Sequence, residues 1–328
     1  MVGARSRISF VCLAVAAVVS LFSLSGCEEP ADVPVAIGTN IWPGYEPGYI
    51  AKEQQLYGVT DVTLRQFRSA TEVLRAFRNQ SIDIAALTLD EALMLRHSGI
   101  PIKIFLVADV SNGADAIVAK PDIASMQGLI GKRVGVENSA LGAYVLGRAL
   151  QQHGMSDRDI RQVSITVDET VDAFTKNRVD AVVTFDPFKS QLLRGEARQI
   201  FDSRAIPDEI IDVLVARDEF LIDHPEAVAA VVSGWLEGAK RLASGDPKIL
   251  EETARRLGMT VPELKTALKE LTIPAPSANR ALLDGRINPV VQASKKLIPL
   301  LEKRNKVLID VAPEDMTTSQ FLPMPDQP

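Results

Sequence analysis

The chain has 328 residues, 46% of them hydrophobic and 24% charged, and its 36 Lys and Arg against 42 Asp and Glu give a formal net charge of −6. That length suffices for two α/β domains or one bilobed domain, and a mildly acidic chain without a long basic run is a poor match to a nucleic-acid partner. Of its two cysteines, Cys12 and Cys27, none lies beyond residue 27, so the rest of the chain has no thiol for a disulfide, a metal or a nucleophile, and packing must hold it together.

Arg5 and Arg7 precede an almost uninterrupted apolar run over 8–24 that ends in Leu24-Ser25-Gly26-Cys27. This is the pattern of an export signal. A run of 17 is at the lower limit for crossing a bilayer, so a membrane anchor is the alternative; either one puts the body of the protein outside the cytoplasm. Without residues 1–26 the chain has 302 residues and, having lost two arginines and no acid, a net charge of about −8. Residues 28–32 read as a polar tether.

A short apolar strand is expected over 33–38, then the loop Asn40-Ile41-Trp42-Pro43-Gly44-Tyr45-Glu46-Pro47, then a helix from near Pro47. Trp42, Tyr45 and the nearby Tyr49 are three of the six Trp and Tyr residues of the chain. Ligands of open α/β sheets sit at such loops, beyond the C-terminal ends of strands. The rings are therefore candidate ligand walls; sealing a core is the other use of such rings. On the wall reading, Trp42→Ala is expected to weaken binding and leave the thermal midpoint of the empty protein nearly unchanged.

Residues 62–67 alternate with period two, and Ser69-Ala70-Thr71-Glu72 then has capping-box spacing ahead of Val73, Leu74, Ala76 and Phe77. A strand over 82–87, a helix to about His97 and a strand over 103–110 follow. This βαβα alternation calls for a mostly parallel sheet with helices on its faces. At Ser111-Asn112-Gly113-Ala114-Asp115 a turn signal interrupts the pattern, and a second set begins: strands over 116–120, 131–136, 163–167 and 179–185, with helices over 139–153 and 169–177. A strand over 210–216 follows a turn at Pro207. The remainder reads as helices over 225–242, 247–257, 261–271 and 289–302, with Asp223, Asp246 and Thr260 as N-caps. After Ala312 the tail is expected to be irregular or poorly ordered.

The ordered set of Ile37-Gly38 before an aromatic loop, Ala70 to Phe77 before Ile82-Asp83-Ile84-Ala85, Gly131-Lys132-Arg133-Val134-Gly135-Val136 before Ser139, and Val179-Asp180-Ala181-Val182 before Asp186-Pro187 resembles the nitrate/sulfonate/taurine-type substrate-binding proteins of ABC importers, over roughly residues 33–242. Leu24 to Cys27 is similar to the lipobox of bacterial lipoproteins, in which the Cys carries the lipid. The resemblance implies an α/β fold of the periplasmic binding protein type II. Its two lobes, each with a mixed, mostly parallel sheet, would be joined by two crossings, with a helical C-terminal part and a cleft that closes on a ligand. The first lobe would take 33–110 and 207–312, the second 111–206, with 313–328 as the tail. The implied partners are a small-molecule ligand, the permease subunits and, through Cys27, a membrane; the expected state is an exported monomer on the periplasmic or cell-surface side.

In that fold the loops after the strands converge. Asn40, Trp42 and Tyr45 would come from the first, Ser69 and Thr71 from the second, Thr88 and Asp90 from the third; Ser139, Ala140, Thr184 and Asp186 would form the opposite wall. Ser69 and Ser139, at helix starts, could hold an oxyanion, or serve as N-caps. Arg68 is the nearby fixed cation, unless it faces solvent. Asp90 and Asp186, with Glu46 and Glu137 on the same rim, would repel a bare anion; the other roles for the two aspartates are a first-turn dipole partner and an N-cap. An amine would be favoured, and Trp42 and Tyr45 could lie against it for ~0.5–2 kcal/mol. The expected ligand is thus an aliphatic sulfonate, a taurine-like or an amine-bearing solute.

Catalysis has little to build on. The chain has no His-Glu-x-x-His, Gly-x-Ser-x-Gly, Walker or dinucleotide motif, and His97, His153 and His224 sit at helix ends. No cofactor, metal or enzymatic activity is expected. Two other classes stay open: a lipoprotein that senses or scaffolds for a membrane partner, and an enzyme of thiamine-pyrimidine or menaquinone-precursor type on the same scaffold.

Overall fold

In the computed structural model, residues 33–137, 141–305 and 308–324 are described. The export segment, the tether, Cys27, Ser139 and Ala140 lie outside them. The first set of elements is β1 (Val35–Asn40), α1 (Glu46–Glu53), β2 (Val62–Phe67), α2 (Ala70–Arg78), β3 (Ile84–Thr88), α3 (Leu89–His97) and β4 (Ile102–Ser111). The second is β5 (Ala116–Ala119), β6 (Arg133–Val136), α4 (Leu141–Gln152), β7 (Arg161–Ser164), α5 (Thr170–Thr175), β8 (Ala181–Thr184), α6 (Phe188–Leu193) and β9 (Arg198–Asp202). The chain then returns with β10 (Ile211–Arg217), α7 (Asp218–Asp223), α8 (Pro225–Ala243), α9 (Pro247–Leu257), α10 (Val261–Lys269), β11 (Leu271–Thr272), α11 (Pro276–Leu283) and α12 (Pro289–Asn305).

These strands form two sheets, one in each lobe. One has the order β11-β4-β10-β3-β1-β2, the other β7-β6-β8-β5-β9. In the first, β1 to β4 run one way, with β10 and β11 against them; in the second, β5 alone opposes its neighbours. Both sheets are thus mixed and mostly parallel in direction. β10 is buried along its whole length between β3 and β4, which is why it reads as a nearly continuous apolar run. Ile37, Ile84, Leu87, Phe105 and Leu214 build the first core with Val73 and Phe77 of α2 and Trp235 of α8. Ile117, Val134, Val136, Leu146 and Phe201 build the second.

The two crossings run side by side. Ser111 Oγ and Ser203 Oγ are 2.8 Å apart, Gly113 N–H donates to Ser203 Oγ at 2.6 Å, and Ser203 N–H donates to the Asp115 carbonyl at 2.9 Å. In the helical part, α1 and α8 touch at backbone distance. A Cβ on Gly238 would come within 2.1 Å of the Pro47 carbonyl oxygen, so this crossing needs a residue without a side chain.

Several expectations are corrected. Asp246 and Thr260 do cap their helices, accepting N–H bonds from Lys248 and Ile249 and from Glu263, but Asp223 closes the short α7 and His224 stands at the N-cap of α8. The expected strand over 163–167 lies earlier, since pairing with β6 sets Arg133 opposite Arg161. The helix expected to reach 271 stops at Lys269, because Leu271 leaves it to pair with Ser111 at the sheet edge. The tail has irregular backbone but is packed. Ile104 N–H donates to the Met316 carbonyl at 2.6 Å, Thr318 N–H donates back to Ile104 at 3.0 Å, and Phe321 and Leu322 are buried.

One ion pair fixes the start of α1. Arg256 Nε donates to Glu46 Oε2 at 2.9 Å, its terminal nitrogens reach Glu46 and Glu53, and its guanidinium lies over the Tyr49 ring at 4.7 Å. Burial raises the Glu46 carboxyl to about 7, although Arg256 pulls it down. Removing one member of a buried pair costs about 3–5 kcal/mol. Because Arg256 is partly exposed, Arg256→Met is expected to lose nearer about 2–3 kcal/mol at about pH 8. A raised carboxyl stabilises the native state at low pH and loses that contribution as pH rises, so the deficit should shrink in urea melts at about pH 5. Equal deficits at both pH values would show that no buried charge was orphaned.

Candidate functional site

The site begins with two acids inside a sheet. Asp212 of β10 lies opposite Thr88 of β3 on one side and Asp109 of β4 on the other. Each acid receives one ring donor from the loop after β1: Trp42 Nε1 donates to Asp109 Oδ2 at 3.0 Å, and Tyr45 Oη donates to Asp212 Oδ1 at 2.5 Å. Between the rings the chain makes a 3₁₀ turn over Pro43–Tyr45. It passes so close that a Cβ on Gly44 would sit 1.8 Å from Asp109 Oδ2. Burial raises Asp109 to about 7, with the Trp42 bond pulling against it; burial, then the charge of Asp109, lifts Asp212 well above the carboxylate range.

Above this pair lies a cavity between the two sheets. On the side of the first sheet, Asn40, Trp42, Tyr45, Ala70, Thr88, Glu91 and Asp212 line it. Glu137, Leu141, Val167, Val183, Thr184 and Phe185 face them, and Asp115 enters from the first crossing. Residues of both lobes enclose it. Four of its lining residues are acids and none of the described ones is Lys or Arg. Burial, then Asp90, lifts Glu91 well above its ordinary range, and burial raises Asp115 to about 6. Among the described residues no three His, Cys, Asp or Glu are arranged to hold a metal ion.

Of the residues picked from sequence, Asn40, Trp42, Tyr45, Thr88 and Thr184 line this cavity. Ser69 caps α2, its Oγ accepting from Glu72 N–H at 3.4 Å. Thr71 meets the opposite lobe, its hydroxyl 2.5 Å and its N–H 3.3 Å from Glu137 Oε1. Asp90 is buried in the first turn of α3 and acts on the cavity through its charge on Glu91. Asp186 turns away, accepting from Ser190 N–H at 2.9 Å with Lys189 Nζ at 3.4 Å, so it serves the start of α6. Arg68 faces solvent, paired with Glu72 at 2.7 Å, and Glu46 points to Arg256 and not to the rim. Ser139 and Ala140 lie outside the described residues.

Sequence reasoning passed over Glu91, Asp115, Asp212 and Phe185. One of these carried a signal: Asp212 interrupts the apolar run of β10, as Asp109, also passed over, does in β4. A lone acid inside a fully apolar strand must be buried with it, which is rare without a purpose.

Two α/β lobes with these strand orders, joined by two crossings around an acidic cavity, define a solute-binding protein of the periplasmic-binding class. The chain belongs to the NMT1-like family, whose match covers residues 28–258. It is 25% identical over 276 residues to the taurine-binding periplasmic protein of Escherichia coli, spanning 80% of this chain and 84% of that protein. Its fold superposes on the periplasmic aliphatic sulphonate binding protein of Escherichia coli with a TM-score of 0.71 at 19% identity, over 87% of this chain and 97% of that one. The periplasmic nitrate-binding protein of Synechocystis gives 0.70 at 13% identity, over 87% and 85%. These relatives are binding proteins.

Trp42 and Tyr45 are both walls of the cavity and members of the first core, which changes what Trp42→Ala should do. Loss of a buried Trp costs about 3–5 kcal/mol, so the empty protein is expected to lose its midpoint, contrary to the neutral effect expected of a wall alone. Trp42→Phe keeps most of the volume and removes the donor to Asp109, for about 1–3 kcal/mol. Unchanged apo melting of both variants would remove the ring from the core.

The raised acids also set the pH dependence of the empty protein. Asp115 at about 6 and Asp109 at about 7 keep protons in the native state that the unfolded chain, with ordinary values of 3.8, has already released. Native excess protonation means that stability falls as pH rises through this window. Thermal midpoints are expected to decline between about pH 5 and about pH 8, and Asp109→Asn should flatten the decline. A midpoint that rises over the same range would contradict the burial of these charges.

Proposed function

We propose that this protein is the solute-binding component of an ABC importer, held outside the cytoplasm by a lipid on Cys27, and that it closes over a small amine-bearing organic solute and hands it to a permease. The observation that carries the reading is the cavity between the lobes, with four acidic and no basic residues among those described as lining it. The family and the fold support the binding role; the taurine of the Escherichia coli relative's name carries an amine that this wall would accept. Motion would centre on the paired crossings at Ser111 to Asp115 and Ser203 to Ile210. The edge of Trp42 against Phe185, with ring centroids 5.2 Å apart, is the contact that closure would make. No thiol or imidazole lines the cavity among the described residues, so we assign it binding and not catalysis.

The test is a thermal-shift screen against amines, amino acids, taurine, sulfonates and nitrate, paired with uptake assays in cells lacking the gene. A ligand at about a hundred times its Kd adds about 2.7 kcal/mol, a readable rise in midpoint. The expected result is a shift with an amine-bearing solute and loss of its uptake in the deletion. Binding with uptake intact would point to a sensor, and no binding by any class would end the reading.

A further inference from the structure

The solute-binding reading leaves the charge of the ligand open, and three features of the cleft bear on it. Glu91 Oε1, Asp115 Oδ2 and Asp212 Oδ2 are buried oxygens with no hydrogen-bond partner among the described residues. Their residues are 2%, 2% and 3% exposed, and all three line the cavity. An unpaired buried carboxylate oxygen is costly unless a donor arrives. A cationic nitrogen supplies donors and charge together, and an ammonium has three N–H groups for three oxygens. A sulfonate, nitrate or carboxylate supplies neither.

The second feature is the N-terminus of α2, one of the helices, with α4, whose first residues, Ala70 and Leu141, line the cavity. Such a terminus favours an anion. That place is filled by the protein itself: Glu137, from the opposite lobe, accepts both the N–H and the hydroxyl of Thr71. An incoming anion would have to displace a carboxylate already doubly bonded there. The third feature is the buried cation Lys189. It is engaged by Glu270, by Asp186 and by the carbonyls of Gly113 and Ala114, and it does not line the cavity. An organic cation can balance these acids without a metal ion.

We infer, on the basis of the solute-binding reading, that the cleft takes a small organic cation without an anionic group: Glu91, Asp115 and Asp212 receive the cation, and Glu137 occupies the α2 terminus, where an anion would otherwise be favoured. Glu137 thereby acts as the specificity residue that separates a plain amine from an aminosulfonate.

The experiment uses the full chain in detergent and calorimetric titration with four molecules on one two-carbon skeleton: ethylamine, 1,2-diaminoethane, taurine and ethanesulfonate. The amines are expected to bind, ethanesulfonate not, and taurine at least about tenfold more weakly than ethylamine, a difference of about 1.4 kcal/mol. Glu137→Gln is expected to narrow the taurine gap by several-fold while ethylamine weakens. Taurine or ethanesulfonate binding as tightly as ethylamine would overturn the inference and leave the solute-binding reading standing. Failure of all four would also overturn it; only failure of every class in the wider screen would remove the solute-binding reading too. A ligand-free measurement guards against a false negative: Asp115→Asn and Glu91→Gln are expected to raise the midpoint of the empty protein, and a fall in both would mark these acids as structural.

Discussion

Two carboxyl groups, Asp109 and Asp212, stand opposite each other on neighbouring strands inside a hydrophobic core, and much of the molecule is arranged to make that tolerable. Each buried charge carries a penalty of several kcal/mol, and the two repel. The loop after β1 answers with one donor for each, the indole N–H of Trp42 and the phenol of Tyr45. Those donors arrive from either side of a backbone pressed against Asp109, which requires Gly44 between them. The aromatic loop is therefore as much a consequence of the acid pair as a wall of the cleft. The loop in turn is held from outside by Arg256 on Glu46 and Tyr49 and by the 2.7 Å bond between Tyr49 Oη and Thr39 Oγ1.

On the proposed reading, the same acids would set a balance between open and closed lobes. Closure is favoured by contacts across the cleft: Thr71 with Glu137, Lys189 with Glu270, and Arg194 with Glu263 at 2.6 Å. The last is partly exposed and worth about 0–1 kcal/mol. Against them, Glu137 acts on Glu91 across the cleft, and like charges a few ångströms apart in a partly dry cleft cost several kcal/mol when ionised. Burial raises Asp109, Asp115, Asp212 and Glu91, which favours their protonated forms in the empty protein. A cation can replace those protons, so ligand charge and closure draw on one electrostatic balance.

The fold was legible in the sequence because it rests on periodicity and order. The apolar runs, the capping box at Ser69 to Glu72 and the break at Ser111 to Asp115 are local signals, and they report strands, helices and the crossing directly. The resemblance to binding proteins supplied the two lobes, the crossings and the cleft, which local signals lack. The site was half legible. Loops after strands gave Asn40, Trp42, Tyr45, Thr88 and Thr184, since the end of a strand is a topological place. Asp212 and Asp109 were missed because they sit within strands, and only the pairing of β10 between β3 and β4 brings them together. Asp186 was chosen for its place after a strand, yet its carboxylate turns to Ser190 and Lys189, a choice made by side-chain partners that spacing does not encode. The tail misled for a related reason: its prolines suggest disorder, while Met316, Phe321 and Leu322 find a sheet edge far away in sequence.

Asp115 ties recognition to movement. It lies in the first crossing, and its unpartnered oxygen lines the cavity. Its backbone also braces the two crossings, since its carbonyl accepts from Ser203 N–H, while Ser203 Oγ accepts from Gly113 N–H and lies against Ser111 Oγ. A group that pulls on this carboxylate pulls on the segment about which the lobes would turn. A ligand can shift a conformational equilibrium only by its differential affinity for the two states, and a charge read at the crossing itself gains its full partner set only when Glu91 and Asp212 on one side and the Glu137 wall on the other are brought around it. On the proposed reading, placing one acid at the pivot and the others on the walls would make the ligand's charge, rather than its bulk, the quantity that closure measures.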